Sequence, residues 1–284
     1  MWQSAAMQLS PRYGNKPLIT LDGTPSDILA PVVRQRHRFA AAAAALTEEQ
    51  WAAPSRCAGW SNRDVVIHLD STNSFWAFSV AAGLRGEPTT FLATFDPVSS
   101  PAQLVAGAQH MSSQDVLAKF TASTAAFTAS LESLSESEWS TLAEAPPGHI
   151  SISALAHHAL WDSWVHERDV LLPLGIAPAE ETDEIAAALR YGAALGPGFA
   201  VSRSLGQTGC LAVESTAPDT AFVVDVSDHV HVRAGTGTAD LHLAGDGVEL
   251  LEAFSIRRPL TQQVPANHQW LINGLAQIFD VSAV

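Results

Sequence analysis

The sequence predicts an α plus α+β protein: a helical bundle of four helices, followed by a small α+β domain. Apolar residues recur at helical spacing up to about residue 195, whereas beyond it the period shifts to two and β-branched residues gather between turns. The length of 284 residues is enough for two ordinary domains. The expected division is an N-terminal extension at 1–25, a helical bundle at 26–195 and an α+β domain at 196–284.

The first helix follows the turn-forming Gly23-Thr24-Pro25 and carries Ile28, Val32, Phe39, Ala43 and Leu46 on one face. The second starts at Ser61, whose hydroxyl can cap it with Asp64 three residues on, and its inner stripe is Val65, His68/Leu69, Thr72 and Phe75/Trp76. After a loop with Pro88, Pro97 and Pro101, a third helix is expected over 113–134 through Val116, Phe120, Phe127 and Leu131. The fourth follows Pro146-Pro147-Gly148, begins near Ser151 or Ser153 and ends before Gly175. Leu195-Gly196-Pro197-Gly198 reads as a packed connector. Strands are expected at 210–214, 221–226, 229–233 and 239–243, and closing helices at 247–256 and 267–279.

Composition excludes several functions. The net charge of −14, from 29 acidic and 15 basic residues, repels phosphate backbones and anionic lipid, so neither nucleic acid nor a membrane surface is an expected partner. The two cysteines, Cys57 and Cys210, form no CxxC pair or disulfide framework, which fits a reducing cytoplasm. The N-terminus lacks the basic-then-apolar order of a signal peptide, and the alanine run at 40–46 is too short to span a bilayer.

Polar residues interrupt two apolar stripes. On the fourth helix Leu155, Ala159, Asp162, His166 and Asp169 follow spacings of four, three, four and three, so Asp162 and His166 share the inward face. A buried carboxylate needs a partner, and a histidine from the second helix, His68, would complete a three-ligand metal site with an open position. Taken alone, the Asp162/His166 pair fits an ion pair equally well, and His158 is an alternative ligand or a group orienting one. Cys57 reads as a packed thiol, Glu167-Arg168-Asp169 as a charged rim, and Trp60, Trp76, Trp161 and Trp164 chiefly as core. His229, His231 and His242 read as exposed or structural.

Three segments carry a resemblance. Leu46-Thr-Glu-Glu-Gln-Trp51, Cys57-Ala-Gly-Trp60-Ser-Asn-Arg-Asp64-Val-Val-Ile-His68-Leu69 and Trp161-Asp162-Ser-Trp-Val-His166-Glu-Arg-Asp169 together resemble the DinB-like, mycothiol-dependent maleylpyruvate isomerase family. The resemblance implies a DinB-like bundle holding a divalent metal, usually zinc, through His68, Asp162 and His166, with Asp162 a shorter ligand than the glutamate those isomerases tend to carry. The segment Leu250-Leu-Glu-Ala-Phe-Ser-Ile-Arg257-Arg258-Pro-Leu260 resembles the family's small sterol-carrier-like domain, where an arginine is tied to catalysis; Arg257 or Arg258 is the matching position. The implied protein is a cytoplasmic isomerase or S-transferase, monomer or homodimer, using mycothiol on a small electrophilic, carboxylate-bearing substrate. A thiol-independent hydrolase using the open metal position for water, and a non-catalytic binding protein for an apolar ligand, are the alternatives.

Overall fold

The computed structural model describes residues 9–279. Four helices pack as a bundle: α1 (Leu29–Ala44), α3 (Asn62–Leu84), α5 (Ser113–Glu132) and α6 (Ile152–Leu171), with the short α2 (Glu48–Ala52) and α4 (Ser99–Gly107) between them. Their starts follow from their caps. The Ser61 side chain accepts from the Asp64 N–H while Asp64 returns a bond to the Ser61 N–H, so the capping box read from sequence opens α3. Ser151 caps α6, and Gly175, at φ 71°, takes the left-handed turn that closes the 3-10 extension after it.

A hairpin of β2 (Leu142–Ala145) and β3 (Gly148–Ser151) precedes α6, and α7 (Thr182–Ser202) follows it. The C-terminal sheet has the order β1-β6-β5-β4-β7, built from β1 (Ile19–Leu21), β4 (Gly209–Thr216), β5 (Asp219–Val226), β6 (Val230–Ala234) and β7 (Leu241–Gly245). Strands β4, β5 and β6 form an antiparallel meander, while β1 joins β6 and β7 joins β4 in parallel. Helices α7 and α8 (Gly247–Phe254) pack on this sheet, and the short α9 (Gly274–Ile278) lies against α7. No helix among the described residues is long and apolar enough to cross a membrane.

Several elements differ from expectation for identifiable reasons. Residues 195–198 are not a connector but the interior of α7, with Pro197 inside the helix. Their small side chains allow close packing: the Gly196 and Gly274 backbones approach so tightly that a Cβ on Gly274 would lie 2.2 Å from the Gly196 carbonyl oxygen. Gly198 similarly makes room for Ile19 of β1. The expected helix at 267–279 is split into a 3-10 turn, Ala266–Leu271, and α9, with Gly274 at the contact. Residues 99–107, expected as loop, are helical around Pro101, which sits in the first turn where its missing N–H costs nothing.

Of the expected extension at 1–25, residues 1–8 lie outside the described residues. The remainder is built into the protein: Leu9, Leu18 and Ile19 are buried, the Arg12 N–H donates to the Pro147 carbonyl, and β1 extends the C-terminal sheet. One apolar cluster therefore runs from Leu9 and Ile19 through Val80, Phe127, Leu155 and Tyr191 to Leu211, Val232 and Leu251, joining bundle to sheet. A second cluster, around Phe39, Trp51, Val65, Leu69, Val116, Phe120 and Val170, fills the end of the bundle where α3 starts. The start of α3 and the end of α6 are thus fixed against each other.

Replacing Gly274 by alanine is expected to destabilise the protein by roughly 1–3 kcal/mol through overpacking against α7. Denaturant unfolding measures this, with Gly14→Ala as a control near zero, because a Cβ at Gly14 meets nothing within 4 Å.

Candidate metal centre

His68, Asp162 and His166 meet between α3 and α6. One ligand atom from each lies within 4.8 Å of the others. The His166 Nε2 is 3.5 Å from Asp162 Oδ1, one turn away on the same helix, and the His68 and His166 rings stand edge to face at 5.1 Å. Trp60, in the turn before α3, lies against His68 with ring centroids 5.4 Å apart. Among the described residues, His68 Nδ1 and Asp162 Oδ2 are buried with no hydrogen-bond partner. Orphaned polar atoms of this kind are costly unless a further group meets them, and two imidazoles with a carboxylate are a donor set suited to a divalent cation such as zinc.

The electrostatics of His68 and Asp162 suit that donor set, whereas His166 is held protonated and a metal ion there would take the place of its Nε2 proton. Burial pushes the His68 pKa down to about 4, so the ring is neutral and keeps a lone pair for a ligand. For Asp162, burial alone would raise the pKa, but His166, His68, His158 and Arg36 outweigh it and hold the carboxyl below its usual range. Burial also acts against charge on His166, yet Cys57, Asp169 and Asp162 together push its pKa up to about 10.

His166 belongs to a second group as well. Its Nδ1 lies 3.0 Å from Asp169 Oδ2 and 3.6 Å from Cys57 Sγ, and Cys57, His166 and Asp169 also bring ligand atoms within 4.8 Å of one another. Here, however, the carboxylate is already taken by cations. Asp169 is fully buried and accepts from Arg257 Nε at 2.9 Å and Nη2 at 2.8 Å, and from Arg56 Nε at 3.0 Å. Two guanidiniums on one carboxylate disfavour a metal ion there, so the His68/Asp162/His166 group is the better candidate.

Arg257 reaches this point from the C-terminal half. Helix α8 ends at Phe254, Ile256 takes a left-handed conformation at φ 54°, and Arg257 follows with its N–H on the Glu252 carbonyl. Arg258 goes elsewhere: it pairs with Glu249 at 2.9 Å, and half of the Glu249 side chain is exposed. The expected rim is in fact interior. Glu167 is buried against Arg38 and Gln35, Arg168 against Glu252 and over the Trp164 ring, and Asp169 as described. Placing Asp169 on the stripe three residues after His166 was the signal that could have identified it, because a stripe that continues inward buries whatever it carries.

Four other histidines have hydrogen-bond partners outside the donor set. His158 Nδ1 lies 2.9 Å from the Tyr191 hydroxyl, with Trp76 and Trp161 against its ring, and His157 Nδ1 is 2.8 Å from the Ser153 carbonyl. His229 and His231 pair with Asp228 and Asp22 near the surface. Trp161 Nε1 donates to Ser255 Oγ at 2.9 Å, so one of the tryptophans expected as core also ties α6 to the end of α8.

Comparison with known proteins bears on this geometry. The family model described as the mycothiol maleylpyruvate isomerase N-terminal domain matches residues 32–171, which include His68, Asp162 and His166. Residues 32–171 form a domain of that family. Two solved structures, the mycothiol-dependent maleylpyruvate isomerase and a histidine-to-alanine variant of it, each superpose with a TM-score of 0.60 at 15% identity, covering 85% of this chain and 95% of theirs. That likeness extends the shared fold across the sheet-containing half. No curated protein sequence matches the chain.

Burial pushes the His157 pKa down from 6.5 to about 4. Between those values the unfolded chain binds more protons than the folded one, so this residue's contribution to stability is present above about pH 6.5 and is lost as the pH falls toward 4. Denaturant midpoints across that window should decline less steeply in His157→Gln than in the parent protein.

Proposed function

We propose that the chain is a metal-dependent, mycothiol-using enzyme, an isomerase or S-transferase, acting on a small electrophilic substrate that bears a carboxylate. The observation that carries this reading is the partly buried meeting of His68, Asp162 and His166 with two buried polar atoms left without partners. Membership of residues 32–171 in the isomerase domain family supports it.

A divalent cation held by His68, Asp162 and His166 would supply a Lewis acid able to hold the sulfur of a small thiol as thiolate at neutral pH. The chain's own residues prepare that site. Asp169 accepts the Nδ1 proton of His166, which leaves Nε2, on the Asp162 side, as the nitrogen that would meet a metal ion in place of its proton. Arg257 and Arg56 fix Asp169 in turn, so Arg257 acts on His166 through Asp169 and links the second half of the chain to the site. Arg258, held on Glu249, is assigned no part. Trp60 covers one side of His68 and limits water there. An isomerase of this kind lets the thiol add to an activated double bond, allows rotation about the resulting single bond, and releases the thiol again; a transferase retains the adduct. Neither course requires a nucleophilic residue from the protein.

The purified protein is expected to carry one equivalent of divalent metal, with His68→Ala and His166→Ala each losing it, as read by elemental analysis. Metal-loaded protein should isomerise a maleylpyruvate-like acceptor only when thiol is present; retained metal in both variants, or equal turnover without thiol, contradicts the reading. Asp169→Asn should weaken metal affinity by roughly 10–100-fold in a chelator competition, because it removes the group that orients His166.

A further inference from the structure

Arg36 and Arg168 are both buried, yet their surroundings are opposite in character. Arg168 is met by two acids, Glu252 at 3.0 Å and Glu180 at 3.2 Å. Arg36, on α1, is fully enclosed, and among the described residues both of its hydrogen bonds go to neutral groups. Its Nη1 donates to Asn73 Oδ1 on α3 and its Nη2 to the Ala159 carbonyl on α6 at 2.8 Å, while Nε is buried without a partner. The guanidinium also lies over the Phe127 ring of α5, 5.4 Å from its centroid, and Asn73 Nδ2 carries the link on to Thr124 Oγ1 of the same helix at 3.1 Å. All four bundle helices therefore meet at one side chain. Its two hydrogen bonds fall beside the donor set: Asn73 follows His68 by five residues on α3, and Ala159 precedes Asp162 by three on the stripe that also carries His166. Asp162 is the acid whose charge favours the Arg36 cation. A buried guanidinium held by neutral acceptors is costly, so packing alone does not account for it.

We propose that Arg36 is a positioning residue for the metal centre: its guanidinium grips α3 and α6 at once and holds them at the spacing at which His68 meets Asp162 and His166. The inference rests on the metal reading of that donor set. Metal–ligand bonds of about 2.0–2.2 Å leave little room for one helix to slide against the other, so the separation of α3 and α6 decides whether the three ligands can close on one ion. A planar fork of donors at fixed separation suits a side chain that must hold acceptors on two helices, whereas lysine offers a point charge on a flexible stem. The grip on α6 is on a main-chain carbonyl, which no substitution at Ala159 removes, and the grip on α3 is on an amide that is itself fully buried. Arg36 thus acts on the ligands through the helices that carry them and touches none of the three.

The test measures zinc affinity by chelator competition, and the visible spectrum of the cobalt(II)-loaded form, in the full-length parent and in Arg36→Lys, Arg36→Met and Asn73→Ala. Gly274→Ala serves as a comparator, since its strain falls on α7 and not on α3 or the donor set. Both Arg36 variants are expected to bind zinc roughly 10–100-fold more weakly than the parent, with shifted cobalt bands. Asn73→Ala should move both readouts in the same direction, because it cuts the grip on α3 while leaving the Arg36 charge in place. Gly274→Ala should keep the parent affinity and spectrum despite its lower stability. Parent-like zinc binding in Arg36→Lys, or a loss in Gly274→Ala equal to that in the Arg36 variants, overturns the proposal. Circular dichroism checks folding, and if neither Arg36 variant folds, parent-like affinity and spectrum in Asn73→Ala overturn it instead. A parent protein that binds neither cation overturns the metal reading and this proposal with it, whereas a metal-binding parent whose variants match it overturns this proposal alone.

Discussion

A fully buried carboxylate, that of Asp169, joins three parts of the chain that are distant in sequence. Arg56 comes from the turn before α3, His166 from one turn earlier on α6, and Arg257 from the segment after α8. Burial by itself would keep the carboxyl protonated, but the hydrogen bonds and charges of His166 and Arg257 hold its pKa far below the ordinary range. Removing it would strip the partly buried Arg257 of its carboxylate and leave Arg56 with Glu252 alone, and about 3–5 kcal/mol, the loss for a fully buried pair, is the upper bound on that cost. The relative placement of bundle and C-terminal sheet at the site depends on this junction, reinforced by Glu252, which pairs with both Arg56 and Arg168.

The junction also explains why His166 can serve two neighbourhoods. One ring nitrogen is committed to Asp169 and the other faces Asp162, so the side chain that ties the halves together also presents its remaining nitrogen toward His68. Stability and chemistry are coupled through one imidazole. A change far along the chain at Arg257 is therefore felt at the donor set without touching it.

The four bundle helices were legible because their inward faces repeat at helical spacing and their caps are written out at Ser61 and Ser151. Helix α7 was not, because Gly196, Pro197 and Gly198 carry the local signature of a break while serving close contacts with Gly274 and Ile19 that only tertiary structure reveals. Strand β1 was missed for a related reason: three residues have too short a period to register, and β6, its partner, lies more than 200 residues away. At the site, His68, Asp162 and His166 stood out as polar interruptions of apolar stripes. Their convergence came from the resemblance, since spacing alone places only two of them on one helix. Arg257 and Cys57 both lie in segments that carry the resemblance, but nothing in the sequence brings them together, as their meeting depends on how two halves of the chain are docked.

Anomalous diffraction at the metal absorption edge, from crystals of the metal-loaded protein, tests the central claim most directly. The account predicts a single peak bonded to His68, Asp162 and His166 at about 2.0–2.2 Å, with Asp169 still held by Arg56 and Arg257. A peak on Cys57 and Asp169 instead, or no peak between α3 and α6, would contradict it.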